Sequence, residues 1–173
     1  MLRFYRDERL MAVRQLQVAN DSVQDRLILR IATDSNEEIR IYLTRRFLRE
    51  IWPHLSRLLA SQLAHASESA DSASEHEAAS FEQPFKEDNP TYPLGSTPLL
   101  ASEVTFEGST DNFTRLIFRE GRERSFSLAL NSELLQALCS MLRAASEQAK
   151  WDLGLNYQST SAVATTPGKS LLH

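Results

Sequence analysis

The sequence predicts an α+β protein built from two pseudo-repeats, each of three antiparallel strands followed by a helix, with the helices packed on the sheets. Three observations predict it. A run of alternating apolar residues that passes straight into a helical apolar stripe occurs at Ile39–Leu59 and recurs, position for position, eighty-seven residues later. Two shorter alternating runs precede each copy. Between the copies lies a stretch of Ala, Ser, Glu, Asp and His with almost no large apolar side chains.

In the first unit the pattern Leu10, Ala12, Leu16, Val18 predicts a strand over Leu10–Val18, with a turn at Asn20-Asp21-Ser22. Leu27, Leu29 and Ile31 form the inward row of a second strand, which leaves Arg26, Ile28 and Arg30 on the other face. Asp34-Ser35-Asn36 closes a hairpin onto a third strand, whose inward row is Ile39, Ile41 and Leu43 and whose outward residues are Arg40 and Tyr42. Thr44 can cap the helix that follows, whose stripe runs through Phe47, Leu48, Ile51, Trp52, Leu55 and Leu59. Pro53 falls inside that stripe. A regular interior turn would lose about 3 kcal/mol to it, so a kink is expected there.

In the second unit Leu99–Phe106 is the equivalent of the first strand, Leu116 and Phe118 belong to the next, and Phe126, Leu128 and Leu130 mark a sixth strand over Ser125–Leu130. Asn131 or Ser132 begins the second helix, with Leu134, Leu135, Leu138, Cys139 and Leu142 on its stripe and an Ala-rich continuation toward Trp151. The predicted boundaries are a first unit at 1–63, an acidic Ala/Ser-rich linker ending in an aromatic and proline segment at 64–95, a second unit at 96–157 and a disordered tail at 158–173. The linker and tail are assigned on composition, because they carry too little apolar surface to offset the roughly 1–2 kcal/mol per residue of backbone ordering.

The net charge of −4 conceals an asymmetry. Met1–Ala60 holds eleven Arg, no Lys and eight acidic residues, a balance of +3; Ser61–Gly95 holds one Lys and seven acids, a balance of −6. Cys139 is the single cysteine, so no intramolecular disulfide forms, and the composition fits a reducing, cytoplasmic setting. No run approaches the roughly 18 apolar residues that span a bilayer, and no membrane partner is expected.

Catalytic chemistry finds little support. There is no Gly-x-Ser-x-Gly elbow, and the first 94 residues contain no Gly for a phosphate-cradling loop. His54, His65, His76 and His173 lack the spacing of a metal site, so no metal or other cofactor is expected, and no enzymatic activity. Binding has more to offer. The outward rows present Arg30, Arg40 and Tyr42 from the first unit and Phe113, Arg115 and Arg119 from the second, and Phe81, Phe85 and Tyr92 lie with three prolines in the segment between the units. Arg and Tyr are enriched in protein interfaces, and proline lowers the entropy lost when an extended segment docks. These residues point to a protein partner or self-association. The alternative is a single-stranded nucleic acid, since Arg beside aromatics on an open sheet can pair with phosphates and stack bases.

The order three strands, helix, three strands, helix is similar to the layout of Whirly and PUR single-strand-binding domains. Neither family's sequence motif is present, and a shared layout implies a fold and not a function.

Overall fold

The structure, a computed structural model, describes residues 12–68, 85–86, 88–108 and 113–157. The predicted tail at 158–173, Phe81 and most of the linker lie outside the described residues. The chain is α+β, with two sheets and two helices. Strands β1 (Val13–Asp21), β2 (Arg26–Thr33) and β3 (Glu38–Thr44) lead into helix α1 (Arg45–Glu68). Strands β4 (Leu99–Leu100), β5 (Glu103–Gly108), β6 (Thr114–Glu120) and β7 (Arg124–Leu130) then lead into α2 (Ser132–Gln148). One sheet has the order β1-β2-β3-β4 and the other β5-β6-β7.

The inward rows fall where the alternation puts them. Leu27, Leu29, Ile31, Ile39 and Ile41 are each 0% exposed. In the first sheet Leu27 pairs with Leu43, Leu29 with Ile41 and Ile31 with Ile39. In the second, Thr114 pairs with Leu130, Leu116 with Leu128 and Phe118 with Phe126. Thr44 Oγ1 accepts from the Phe47 amide at 3.2 Å, and Asn131 Oδ1 from the Leu134 amide at 2.8 Å, so both expected caps are in place.

Several boundaries differ from the sequence expectation. The first strand runs on to Asp21, because Asn20 and Asp21 still pair with Leu27 and Arg26. The turn comes after it, where Asp21 Oδ1 accepts from the amides of Val23 and Gln24 and Asp25 adopts a φ of 50°. Leu99–Phe106 is not one strand. Leu99 and Leu100 pair in parallel with Ile41 and Tyr42 of the first sheet, whereas Glu103 begins the second by pairing with Arg119. The chain changes sheets between Ala101, whose amide donates to Tyr42 O, and Ser102, whose amide donates to Arg119 O. The first sheet therefore has four strands, one of them parallel, in place of three antiparallel ones.

Helix α1 continues through Pro53 and reaches Glu68, beyond the expected boundary at 63. Helix α2 stops at Gln148, where the amides of Ala149, Lys150 and Trp151 turn back onto carbonyls of the last turn and Lys150 takes a φ of 56°. Trp151 is buried beyond the helix end and donates from Nε1 to Asp25 Oδ1 at 2.7 Å.

Each helix reaches the sheet that it does not directly follow. Helix α2 packs along β1, and the two helices pack on each other. From α1, Gln62 Nε2 donates to Thr114 Oγ1 on β6 at 2.8 Å, and the His54 ring lies 5.5 Å from Phe106 on β5. One continuous core results, drawing on both sheets and both helices. Between them, a void of about 10 Å³ bordered by Leu29, Leu55, Phe118 and Leu138 holds no more than a water molecule. No helix among the described residues is long and apolar enough to cross a membrane.

Candidate functional site

The outward face of the first sheet is where the predicted site residues converge. Arg30 on β2 and Arg40 on β3 are direct cross-strand partners, because both rows are even-numbered and the register pairs them. Tyr42 pairs with Ile28 in the neighbouring row; its hydroxyl lies 3.4 Å from Asp21 Oδ2, and the Arg26 guanidinium sits 5.4 Å from its ring centroid.

Onto this face comes the chain segment Phe85–Pro98. The Phe85 ring stacks on the Arg30 guanidinium at 4.1 Å and the Tyr92 ring on that of Arg40 at 4.4 Å. The Lys86 amide donates to Gln15 Oε1, and Asn36 Nδ2 donates to the carbonyls of Asp88 and Asn89. Thr91 joins the edge of β3: its amide donates to Asn36 O at 3.0 Å and its carbonyl accepts from the Glu38 amide at 2.8 Å. Further along, Arg40 donates to Ser96 O, and Arg124 gathers the carbonyls of Leu94, Thr97 and Pro98 at 2.9, 2.8 and 3.2 Å.

Beneath the segment lies an ion pair that sequence reasoning missed. Glu38, only 2% exposed, accepts from Arg30 Nε at 2.8 Å through Oε1, and Arg30 Nη1 reaches Gln17 Oε1 at 3.3 Å. Glu38 Oε2 and Arg40 Nε are buried and have no hydrogen-bond partner. Arg30 is thus a partner of a buried carboxylate and not the freely solvated cation its row suggests. Glu120 is the second missed residue. Its Oε2 accepts from the Leu100 amide at 2.9 Å and from Arg124 at 2.5 Å, and the amide first, then the guanidinium, hold its carboxyl below the ordinary carboxylate range. Neither Glu38, at the first position of β3, nor Arg124, one residue before the predicted sixth strand, carries a local signal for this. The Arg30 that Glu38 meets is eight residues away across the hairpin, the Phe85 ring that covers Arg30 comes from about fifty residues further on, and the carbonyls that Arg124 gathers lie about thirty residues before it.

Phe113, Arg115 and Arg119 belong to the second sheet. Phe113 is 36% exposed just ahead of β6, Arg115 lies 3.8 Å from Glu107, and Arg119 is exposed while its carbonyl accepts from Ser102. That face carries Thr105, Ile117 and Ser127 in one row, flanked by the pairs Glu107–Arg115 and Glu103–Arg119.

Among the described residues no group of three or more His, Cys, Asp or Glu converges as a metal site would require. Burial pushes the Cys139 thiol up to about 12, which leaves it protonated and unreactive near neutral pH. A cleft of about 370 Å³ opens beside the end of α2, but its charged residues, Arg143, Glu147, Lys150 and Asp152, cancel, and Arg143 already lies over the Tyr157 ring. No protein family matches the chain, and no curated protein and no solved structure resembles it to a significant degree.

Proposed function

We infer that the protein is a non-enzymatic interaction module, a homo-oligomer or one subunit of a larger assembly, that works through the outward face of the first sheet and the aromatic and proline segment at 81–94. The observation that carries this reading is the paired Arg30 and Arg40, each stacked on a ring delivered by an extended segment. A face that already receives rings and main-chain groups from its own chain has the chemistry to receive them from another. The single buried cysteine supports a reducing, cytoplasmic setting.

We further infer that the chain is a duplicated unit of three strands and a helix, at 1–63 and 96–157. Its support is the register: the pairs Leu29–Ile41 and Leu116–Leu128 are each related by eighty-seven residues, as are the buried Trp52 and Cys139.

Single-stranded nucleic acid is the second reading, favoured by guanidinium groups beside aromatic rings on a sheet and by the Whirly- and PUR-like order of elements. Against it stand the net charge of −4 and the absence of Lys before Lys86, which weaken the counterion-release contribution that dominates such binding. The double variant Arg40→Ser/Tyr42→Ala separates the two. It is expected to stay folded and to lose self-association or partner capture, read by light scattering and pull-down. Loss of oligonucleotide binding together with its salt dependence would instead favour the second reading.

A further inference from the structure

The segment Phe85–Pro98 lies on the first sheet as a ligand would. Two rings and a series of main-chain groups make the contact: Phe85 and Tyr92 cover Arg30 and Arg40, Thr91 bonds the β3 edge, and four carbonyls between Leu94 and Pro98 accept from Arg40 and Arg124. A surface that reads rings with guanidinium planes and carbonyls with guanidinium N–H groups suits an extended peptide containing proline. Proline removes a backbone donor and leaves the carbonyl acceptor, and the segment itself carries Pro90, Pro93 and Pro98.

The segment is held without a core of its own. From Lys86 to Thr97 no described residue is buried and most are exposed; Leu94, half-buried, packs against the core, and the docking as a whole withdraws little apolar area from water. Segments with few buried apolar contacts are the first to open in a native protein. It also leaves work undone, since Glu38 Oε2 and Arg40 Nε stay buried and unpaired beneath it. A ligand that met those two atoms as well would bind the face better than the segment does.

We propose that residues 85–98 form a strap that occupies the Arg30 and Arg40 face in cis and has to leave before that face binds an extended, proline-containing peptide with aromatic side chains from a partner. The strap is then a built-in competitor for the interaction proposed above, and the inference rests on that reading. Because the cis segment is tethered, its effective concentration is high, and a partner peptide of equal intrinsic affinity binds only weakly until the strap is released.

The test uses the full chain and the variant Phe85→Ala/Tyr92→Ala, which removes both rings without touching the core. The probe is a fluorescein-labelled peptide of the sequence 85–98, followed by anisotropy. The variant is expected to bind it at least tenfold more tightly than the unaltered protein, and adding Arg40→Ser is expected to abolish the gain. Equal affinity for both proteins would overturn the strap while leaving the peptide-binding face intact. Failure of both to bind would overturn both inferences. A released variant that prefers oligo(dT), with an affinity falling steeply in salt, would overturn the peptide partner in favour of a single strand. Hydrogen exchange on the unaltered protein tests the opening independently of any variant: the amides of Thr91 and Glu38 are expected to exchange at least tenfold faster than the amides of β2, and equal protection would overturn the proposal.

Discussion

Replacing Arg30 by alanine should cost far more than a cation on an outward sheet row ordinarily would. Isolated surface charges are worth about 0–1 kcal/mol. Here the partner decides the magnitude: the Glu38 side chain is 1% exposed and its Oε2 already lacks a donor, so Arg30→Ala strips the buried carboxylate of the cation that bonds its Oε1. Breaking a buried pair from that side costs about 3–5 kcal/mol. For a chain of this size each kcal/mol moves the melting temperature by about 2–4 °C, which predicts a fall of about 6–20 °C. Glu38→Gln should be milder, at about 1 kcal/mol, because the Arg30 side chain is 19% exposed and keeps Gln17, the Phe85 ring and access to water. Calorimetry or urea titration of both variants checks the asymmetry. A loss below about 1 kcal/mol for Arg30→Ala, or a larger loss for Glu38→Gln than for Arg30→Ala, would refute the reasoning, since either result would mean that Glu38 reaches water in solution.

Three further outcomes follow from the packing and the charges. Leu55→Ala and Leu138→Ala, each at a side chain 1% exposed in the shared core, should cost about 2–5 kcal/mol in denaturant unfolding, and losses under about 1 kcal/mol would show that the helices do not pack as described. Cys139 should resist iodoacetamide at pH 8 in the native protein and react once it is unfolded; rapid native labelling would contradict its burial. Glu120 has a lowered pKa in the folded state, so its contribution is present above the ordinary carboxyl pKa of about 4.3 and is lost as the pH falls through its folded value. Glu120→Gln should therefore remove part of the stability at pH 7 and make the remainder less sensitive to acid below about pH 4, as read from melting temperature against pH.

Most of the core was legible in the sequence because burial within an element depends on local periodicity. The rows Leu27-Leu29-Ile31 and Ile39-Ile41-Leu43, the stripes through Ile51, Leu55, Leu138 and Leu142, and the caps Thr44 and Asn131 are all short-range patterns, and all lie where those patterns put them. Convergence of Arg30, Arg40 and Tyr42 on one face followed from the same alternation. Only the tertiary structure decided what that face meets. The sheet change at Ala101–Ser102, the reach of each helix to the other sheet, the burial of Glu38 and the three carbonyls gathered by Arg124 all depend on segments tens of residues apart. Alternation says which side of a strand a residue occupies and is silent about what later covers that side. A Glu on an outward row reads as solvated until a distant strap settles over it, and then the same carboxylate becomes a buried charge whose pairing with Arg30 the fold cannot spare.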